Sequence, residues 1–340
     1  MHPDTVPPLL ESPDYQLESV VSQIAAIQVL RSAVEARILG QSSLVDRLLI
    51  ALLADGHLLV EGAPGLAKTT AIKALGDNLQ ADFHRLQFTP DLLPSDLIGT
   101  DIFRAAEGRF EFQRGPMFHN LLLADEINRA PAKVQSALLE AMAERQVTVG
   151  QTTYPLPELF LVMATQNPIE QEGTYRLPEA QLDRFLMHVV VDYPSMDTER
   201  EILRLARAQA RGEQAATGGE ALSQAAIFAA RREVLDLHMD PSLEDYIVAL
   251  IQASRQPQAY GEDLQRWIEY GASPRGSLAL ERCARAHAWL AGRDYVSPDD
   301  VQAIAADVLS HRLLLSFEAE ADGVSARQVV EALLQRVAVG

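Results

Sequence analysis

The sequence predicts an α/β domain, a parallel sheet with helices on both faces, followed by a smaller all-α domain. Three observations predict it. Short apolar runs of strand length alternate with helical patterns as far as Pro194. The first of these runs passes through a glycine-bearing loop, "EGAPGLAKTT", directly into a helix. Beyond Pro194 no further convincing strand is found, and apolar residues recur at helical spacing between polar breaks.

The elements follow in order. Residues 1–16, MHPDTVPPLLESPDYQ, carry four prolines and neither a basic nor an apolar region of signal-peptide type, and read as a flexible leader. From Leu17 to Leu39, Val20, Val21, Ile24, Ile27, Val29, Leu30, Val34 and Ile38 recur at helical spacing before Gly40. A second helix, Leu44 to Leu53, leads to a strand at His57 to Val60, then the loop, then a helix from Thr69 to Leu79. A strand at Phe83 to Phe88 precedes the connection "TPDLLPSDLIGT" and two β-like runs around Gly108. "LLLADEI" reads as a buried strand, Pro131 to Arg145 as a helix with Val134, Leu138, Leu139 and Met142 on one face, and "QVTVGQTTYPLP" as a hairpin turning near Gly150 and Gln151. "LFLVMATQNP" and "FLMHVVVDYP" supply two more strands. The stretch "RGEQAATGGEALS" reads as an exposed loop, and Ser297-Pro298 as a helix start. The division is therefore 1–16, 17–194 and 195–340.

Composition narrows the function. With 29 basic and 47 acidic residues the formal charge is -18, which opposes sequence-independent binding to a polyanion and makes nucleic acid a poor partner. Cys283 is the only cysteine, so an internal disulfide and a thiolate zinc cage are excluded, in keeping with a reducing cytoplasm. No apolar run approaches the roughly 20 residues that span a bilayer. The eight histidines show no metal-binding spacing, and Trp267 and Trp289 read as packing residues.

The chemistry concentrates in three places. A phosphate loop aims backbone N–H groups and a helix N-terminus at phosphates, and needs a lysine for the β and γ groups and a hydroxyl for magnesium. Residues Gly62, Ala63, Pro64, Gly65, Leu66, Ala67, Lys68, Thr69 and Thr70 meet that need, although Ala67 stands where the usual G-x-x-x-x-G-K-[ST] has glycine. The substitution is expected to cost little, with Ala67 in helical φ and ψ and with Gly62 and Gly65 giving the loop its freedom. Asp125 and Glu126 end a buried strand, at the edge where open α/β sheets bind ligands. Asp125 is expected to hold magnesium and Glu126 to orient the attacking water. Asn167, ending a second strand, can hydrogen-bond water or a γ-phosphate without adding negative charge. Taken singly, each has a plainer reading: a turn with an incidental lysine, a solvated strand end, and an Asn-Pro turn.

These segments together resemble the MoxR family of AAA+ ATPases. The resemblance rests on "EGAPGLAKT", "LLLADEINRAPAKVQSALLEAMAERQVT", "ATQNPIEQEGTYRLPEAQLDRF" and "SPRG", in that order, and covers roughly residues 35 to 315. It implies a P-loop sheet followed by a helical lid, with ATP and magnesium held between them and subunits in a ring, commonly a hexamer. It implies that Asn167 is sensor 1, Arg275 sensor 2 on the lid, and Arg184 the arginine finger given to a neighbour, with Arg129 and Arg176 competing for that last role. Segments 101–114 and 146–157 correspond to helix-2 and pre-sensor-1 insertions. The implied activity is chaperone-like remodelling, maturation or activation of a protein client, including cofactor or metal insertion, with a von Willebrand factor A domain adaptor. A nucleotide-regulated scaffold with little turnover and a DNA-remodelling ATPase remain as alternatives.

Overall fold

The computed structural model describes residues 13–168, 174–211 and 221–339. Parts of "ATQNPIEQEGTYRLPEAQLDRF" and "RGEQAATGGEALS", and most of the leader, lie outside them. Helix α1 (Pro13–Glu35) starts within the last residues assigned to the leader and ends before Leu39 in a turn. Helix α2 (Ser42–Leu53) buries Leu44, Val45, Leu48, Leu49 and Leu52. Then come β1 (Leu58–Gly62), α3 (Lys68–Asp77), β2 (Phe83–Gln87) and the short α4 (Pro94–Ile98).

A hairpin of β3 (Gly99–Arg104) and β4 (Arg109–Arg114) precedes β5 (Leu121–Asp125) and α5 (Ala132–Glu144). A second hairpin, β6 (Gln146–Val149) and β7 (Thr152–Pro155), turns on Gly150 and Gln151, with Gly150 at φ 60. Strand β8 (Leu161–Gln166), helix α6 (Glu179–Leu182) and strand β9 (Met187–Val191) complete this part.

The remaining chain forms α7 (Met196–Ala210), α8 (Gln224–Asp236), α9 (Pro241–Arg255) and α10 (Glu262–Trp267). Next are β10 (Ile268–Tyr270), α11 (Pro274–Leu290), α12 (Pro298–Leu309), β11 (Leu314–Leu315), α13 (Phe317–Ala321) and α14 (Ala326–Arg336). Strands β10 and β11 pair antiparallel, Ile268 opposite Leu315 and Tyr270 opposite Leu314, which corrects the expectation of no strand after Pro194. Elements of three and two residues are too short to show a period of two.

Five strands form one parallel sheet in the order β2-β5-β8-β1-β9. Its inner strands β5, β8 and β1 read as near-continuous apolar runs because both faces are covered, while the edge strand β2, FHRLQ, does not. Leu58, Val60, Leu121, Leu123, Met163 and Val189 face α2, α3 and the C-terminal helices in one apolar cluster. Leu59, Leu122, Ala124, Val162 and Ala164 face α5 in the other. The first cluster continues into α11, α12 and α14, and α12 packs along β9. Among the described residues, no helix is long and apolar enough to cross a membrane.

His57 fixes the start of β1. Its Nδ1 accepts from the Val162 amide at 3.1 Å, so the proton resides on Nε2, which donates to the Met142 carbonyl at 3.3 Å. Burial, aided by the Arg145 charge, pushes the imidazole from 6.5 down to about 3. The unfolded chain therefore binds a proton that the folded chain refuses, and stability falls as pH drops from about 6.5 towards about 3. In denaturant unfolding at pH 7 and pH 5, His57→Gln should lose about 2 kcal/mol less between the two pH values than the wild type. Equal losses would mean that the imidazole is charged in the fold.

Candidate active site

Strand β1 delivers Gly62 to the C-terminal edge of the sheet, and the chain turns through residues 63–67 into α3, which opens with Lys68. Ala63 and Leu66 are buried while Pro64 and Gly65 are exposed, so the loop is anchored from below and open above. Ala67, at the N-cap, offers no side-chain oxygen to the first turn of α3. Those N–H groups are left for a ligand. Lys68 Nζ donates to the Gly62 carbonyl. Burial draws this ammonium below its usual value, against the pull of Asp125, Glu126 and Glu61.

Two expectations about the loop change. Ala67 lies at φ 57, ψ 17, in the left-handed region and not in helical φ and ψ. An L residue there costs roughly 1–2 kcal/mol, so the position does favour glycine. Gly62 gives no conformational freedom: a Cβ there would meet the Val191 carbonyl at 2.8 Å, so its smallness lets the loop base pack on β9. Gly65, at φ 84 with nothing within 4 Å of an added Cβ, is the residue that supplies freedom.

Residues 64–70, Asp125, Glu126, Thr165 and Asn167 line one cleft of about 330 Å³, while Gly62 and Ala63 of the predicted loop are buried and do not line it. The Thr165 hydroxyl donates to Asp125 Oδ1 at 2.6 Å and accepts from the Glu126 amide at 2.9 Å, so one side chain locates both acidic residues. Arg85, on neighbouring β2, donates to Asp125 Oδ2 from Nη2 at 2.6 Å and from Nε at 3.1 Å. Glu126 sits at φ 56, ψ 51, and its Oε2 accepts from Gln87 Nε2 at 2.6 Å and lies 3.0 Å from Arg129 Nε. Sequence reasoning missed Arg85, Gln87 and Thr165. Their one signal was position, since each stands on a strand beside the acidic one, which only the sheet order reveals.

Thr69 and Asp125 bring hard oxygen donors to the same cleft, the donor type that magnesium takes alongside phosphate oxygens. Among the described residues no group of three or more His, Cys, Asp or Glu could cage a metal ion. One carboxylate and one hydroxyl suit an ion that draws its other ligands from substrate and water.

Arg184 and Arg275 are not brought to this cleft. They line a second one, of about 310 Å³, with Asp55, His57, Arg145 and Arg282. His57 precedes β1 and Arg184 precedes β9, so this cleft occupies the N-terminal edge of the same sheet. The five residues of β1 put roughly 16 Å between the edges. Arg184 Nη1 donates to the Leu139 carbonyl at 2.9 Å, and Arg275 Nη1 lies 3.7 Å from Asp183 Oδ2. Of the competing arginines, Arg129 lies against its own chain's Glu126, and Arg176 lines a third cavity with Glu61 and His188.

A family described as ATPase family associated with various cellular activities (AAA) matches residues 57–187, and an AAA lid domain matches residues 263–333. Chaperone MoxR1 of Mycobacterium tuberculosis is 46% identical over 98% of this chain and 87% of its own length. Protein MoxR of Paracoccus denitrificans is 37% identical over 84% of this chain and 87% of its own. The crystal structure of a candidate ATPase from Cytophaga hutchinsonii is 46% identical, covers 96% of this chain and 98% of that one, and superposes with a TM-score of 0.88.

The loop geometry sets two substitutions in opposite directions. Ala67→Gly relieves a left-handed alanine and should raise unfolding stability by about 1 kcal/mol. Gly62→Ala drives a methyl into the β9 backbone and should lower it by about 1–3 kcal/mol. Urea unfolding checks both, and a destabilised Ala67→Gly would refute the left-handed N-cap.

Proposed function

This chain belongs to the MoxR family of AAA+ ATPases, and we propose that it is a magnesium-dependent ATPase whose reaction is completed at the contact between two subunits. One observation carries the reading: the two groups of residues assigned to the reaction lie on opposite edges of one sheet. Loop, carboxylates and asparagine stand at the C-terminal edge, and Arg184 and Arg275 at the N-terminal edge. Neither arginine lines its own chain's cleft. A head-to-tail contact sets one chain's arginines against the next chain's phosphates, and such contacts close into a ring when the rotation allows it. A hexamer is the ring we propose, with both arginines acting on the neighbour's nucleotide.

Within the cleft, residues 62–70 cradle the phosphates through backbone N–H groups, and Lys68 leaves the Gly62 carbonyl for the β and γ oxygens. Thr69 and Asp125 hold magnesium, which supplies charge neutralisation on the phosphates. Glu126 accepts a hydrogen bond from the attacking water and orients it towards the γ-phosphorus, with Asn167 hydrogen-bonding the same water or the γ-phosphate. Water adds to phosphorus as the bond to the ADP oxygen breaks, giving ADP and phosphate. The incoming arginines stabilise charge on the transferring group, which ties turnover to assembly.

The name of the Mycobacterium relative, a chaperone, supports work on a protein client. The proposed client is a complex to be remodelled, matured or activated, cofactor or metal insertion included, reached through a von Willebrand factor A domain adaptor in the cytoplasm. Specific ATPase activity should rise with protein concentration and then level, while Glu126→Gln should keep ATP binding and lose about 100-fold or more in turnover. Activity independent of concentration down to the monomer would refute the interface reading. Undiminished turnover in Glu126→Gln would refute the assignment of that carboxylate.

A further inference from the structure

Arg312 follows α12 in a single helical turn, Ser310–Arg312, and its side chain is 2% exposed. Its guanidinium closes on one short segment of chain. Nε donates to Asp183 Oδ1 at 3.0 Å, Nη2 to the Phe185 carbonyl at 2.7 Å and the Asp183 carbonyl at 3.4 Å, and Nη1 to the Leu186 carbonyl at 3.2 Å. These acceptors flank Arg184 on both sides. From the other direction, Nη1 is held by the Val308 carbonyl and by His311 Nε2 at 2.8 Å.

Asp183 carries the contact onward. Its Oδ2 accepts from Ser273 Oγ at 2.8 Å, and Ser273 is the N-cap of α11, whose second residue is Arg275. Arg275 itself lies 3.7 Å from the same oxygen. Several arginines share this cleft and repel one another; of its two carboxylates Asp55 is taken up by Arg145 and Arg231, so Asp183 is the one that faces Arg312 and Arg275. A buried ion pair is a poor device for stability, since well-packed apolar residues do as well or better, but it imposes a fixed geometry.

We propose that Arg312 is a positioning residue for hydrolysis in the neighbouring subunit: it pins the turn that carries Arg184 and, through Asp183, the helix start that carries Arg275. The two arginines come from distant parts of the chain, and Arg312 with Asp183 is the bracket that mounts them together. The proposal rests on the reading that both act on a neighbour's ATP.

Trans-complementation tests it. Arg312→Lys keeps the charge and loses the planar fork. Alone, it should bind ATP within about threefold of wild type and turn over about 10- to 100-fold more slowly, as misplacement of a catalytic group does. Lys68→Ala has intact arginines and a disabled loop. Mixed and allowed to exchange subunits, the two should hydrolyse ATP well above the sum of their separate rates, because Lys68→Ala subunits supply sound arginines to sound clefts. Arg184→Ala, mixed with Lys68→Ala, is the control. If the control pair is rescued and the Arg312→Lys pair is not, Arg312 serves only its own fold or its own cleft, and the proposal falls. If neither is rescued, the reading beneath it falls and takes the proposal with it. Wild-type turnover by Arg312→Lys alone also overturns it. Should Arg312→Lys fail to fold, Asp183→Asn cuts the same bracket from its more exposed side and is judged by the same pairing.

Discussion

The direction of the five parallel strands is the constraint on which the rest depends. A parallel sheet has a chemical polarity that an antiparallel one lacks, because every strand hands its chain to the next loop at the same edge. Gly62, Asp125 and Gln166 all end their strands there, which is why three segments far apart in sequence meet in one cleft. The opposite edge receives the chain as it enters β1 and β9, and it collects His57 and Arg184 for the same reason. One covalent strand separates them, and no side-chain rotation spans that length.

The two edges are also where the backbone is strained. Among the described residues, the non-glycine residues with positive φ are Asp55, Ala67, Glu126 and Arg145. Ala67 and Glu126 stand on the phosphate cleft, Asp55 and Arg145 on the arginine cleft. Conformations of this kind persist only where surrounding contacts over-determine them. The amide of Glu126 is tied to Thr165, and Arg145 is tied to Asp55 at 2.7 Å and to the Phe160 carbonyl at 2.9 Å. At Glu126 and Arg145 these ties hold the left-handed conformation in place.

Much of the sheet and its cleft was legible in the sequence, because both follow from local pattern. Buried parallel strands announce themselves as apolar runs, and the loop, Asp125, Glu126 and Asn167 each sit at the end of such a run. What was hidden depends on proximity across the sheet. Arg85, Gln87 and Thr165 look like ordinary polar residues until strand order sets β2 and β8 on either side of β5. The loop was misjudged through φ, which a sequence states only by implication: the missing glycine at Ala67 was the position that wanted one, and Gly62 was small for packing. Arg312 carried no signal, since a His-Arg pair after a helix is commonplace and its role appears only when residues 183–186 fold against it.

The C-terminal helices take on a different meaning in this light. They contribute none of the side chains that line the phosphate cleft, yet their apolar core is continuous with that of α3, the helix the phosphate loop opens. Packed interiors transmit displacement with little compression. Under the proposed function, a movement of the loop would be passed through this core to α11, whose first turn carries Arg275. In the proposed assembly, communication between successive clefts would then run through the packed core of each subunit.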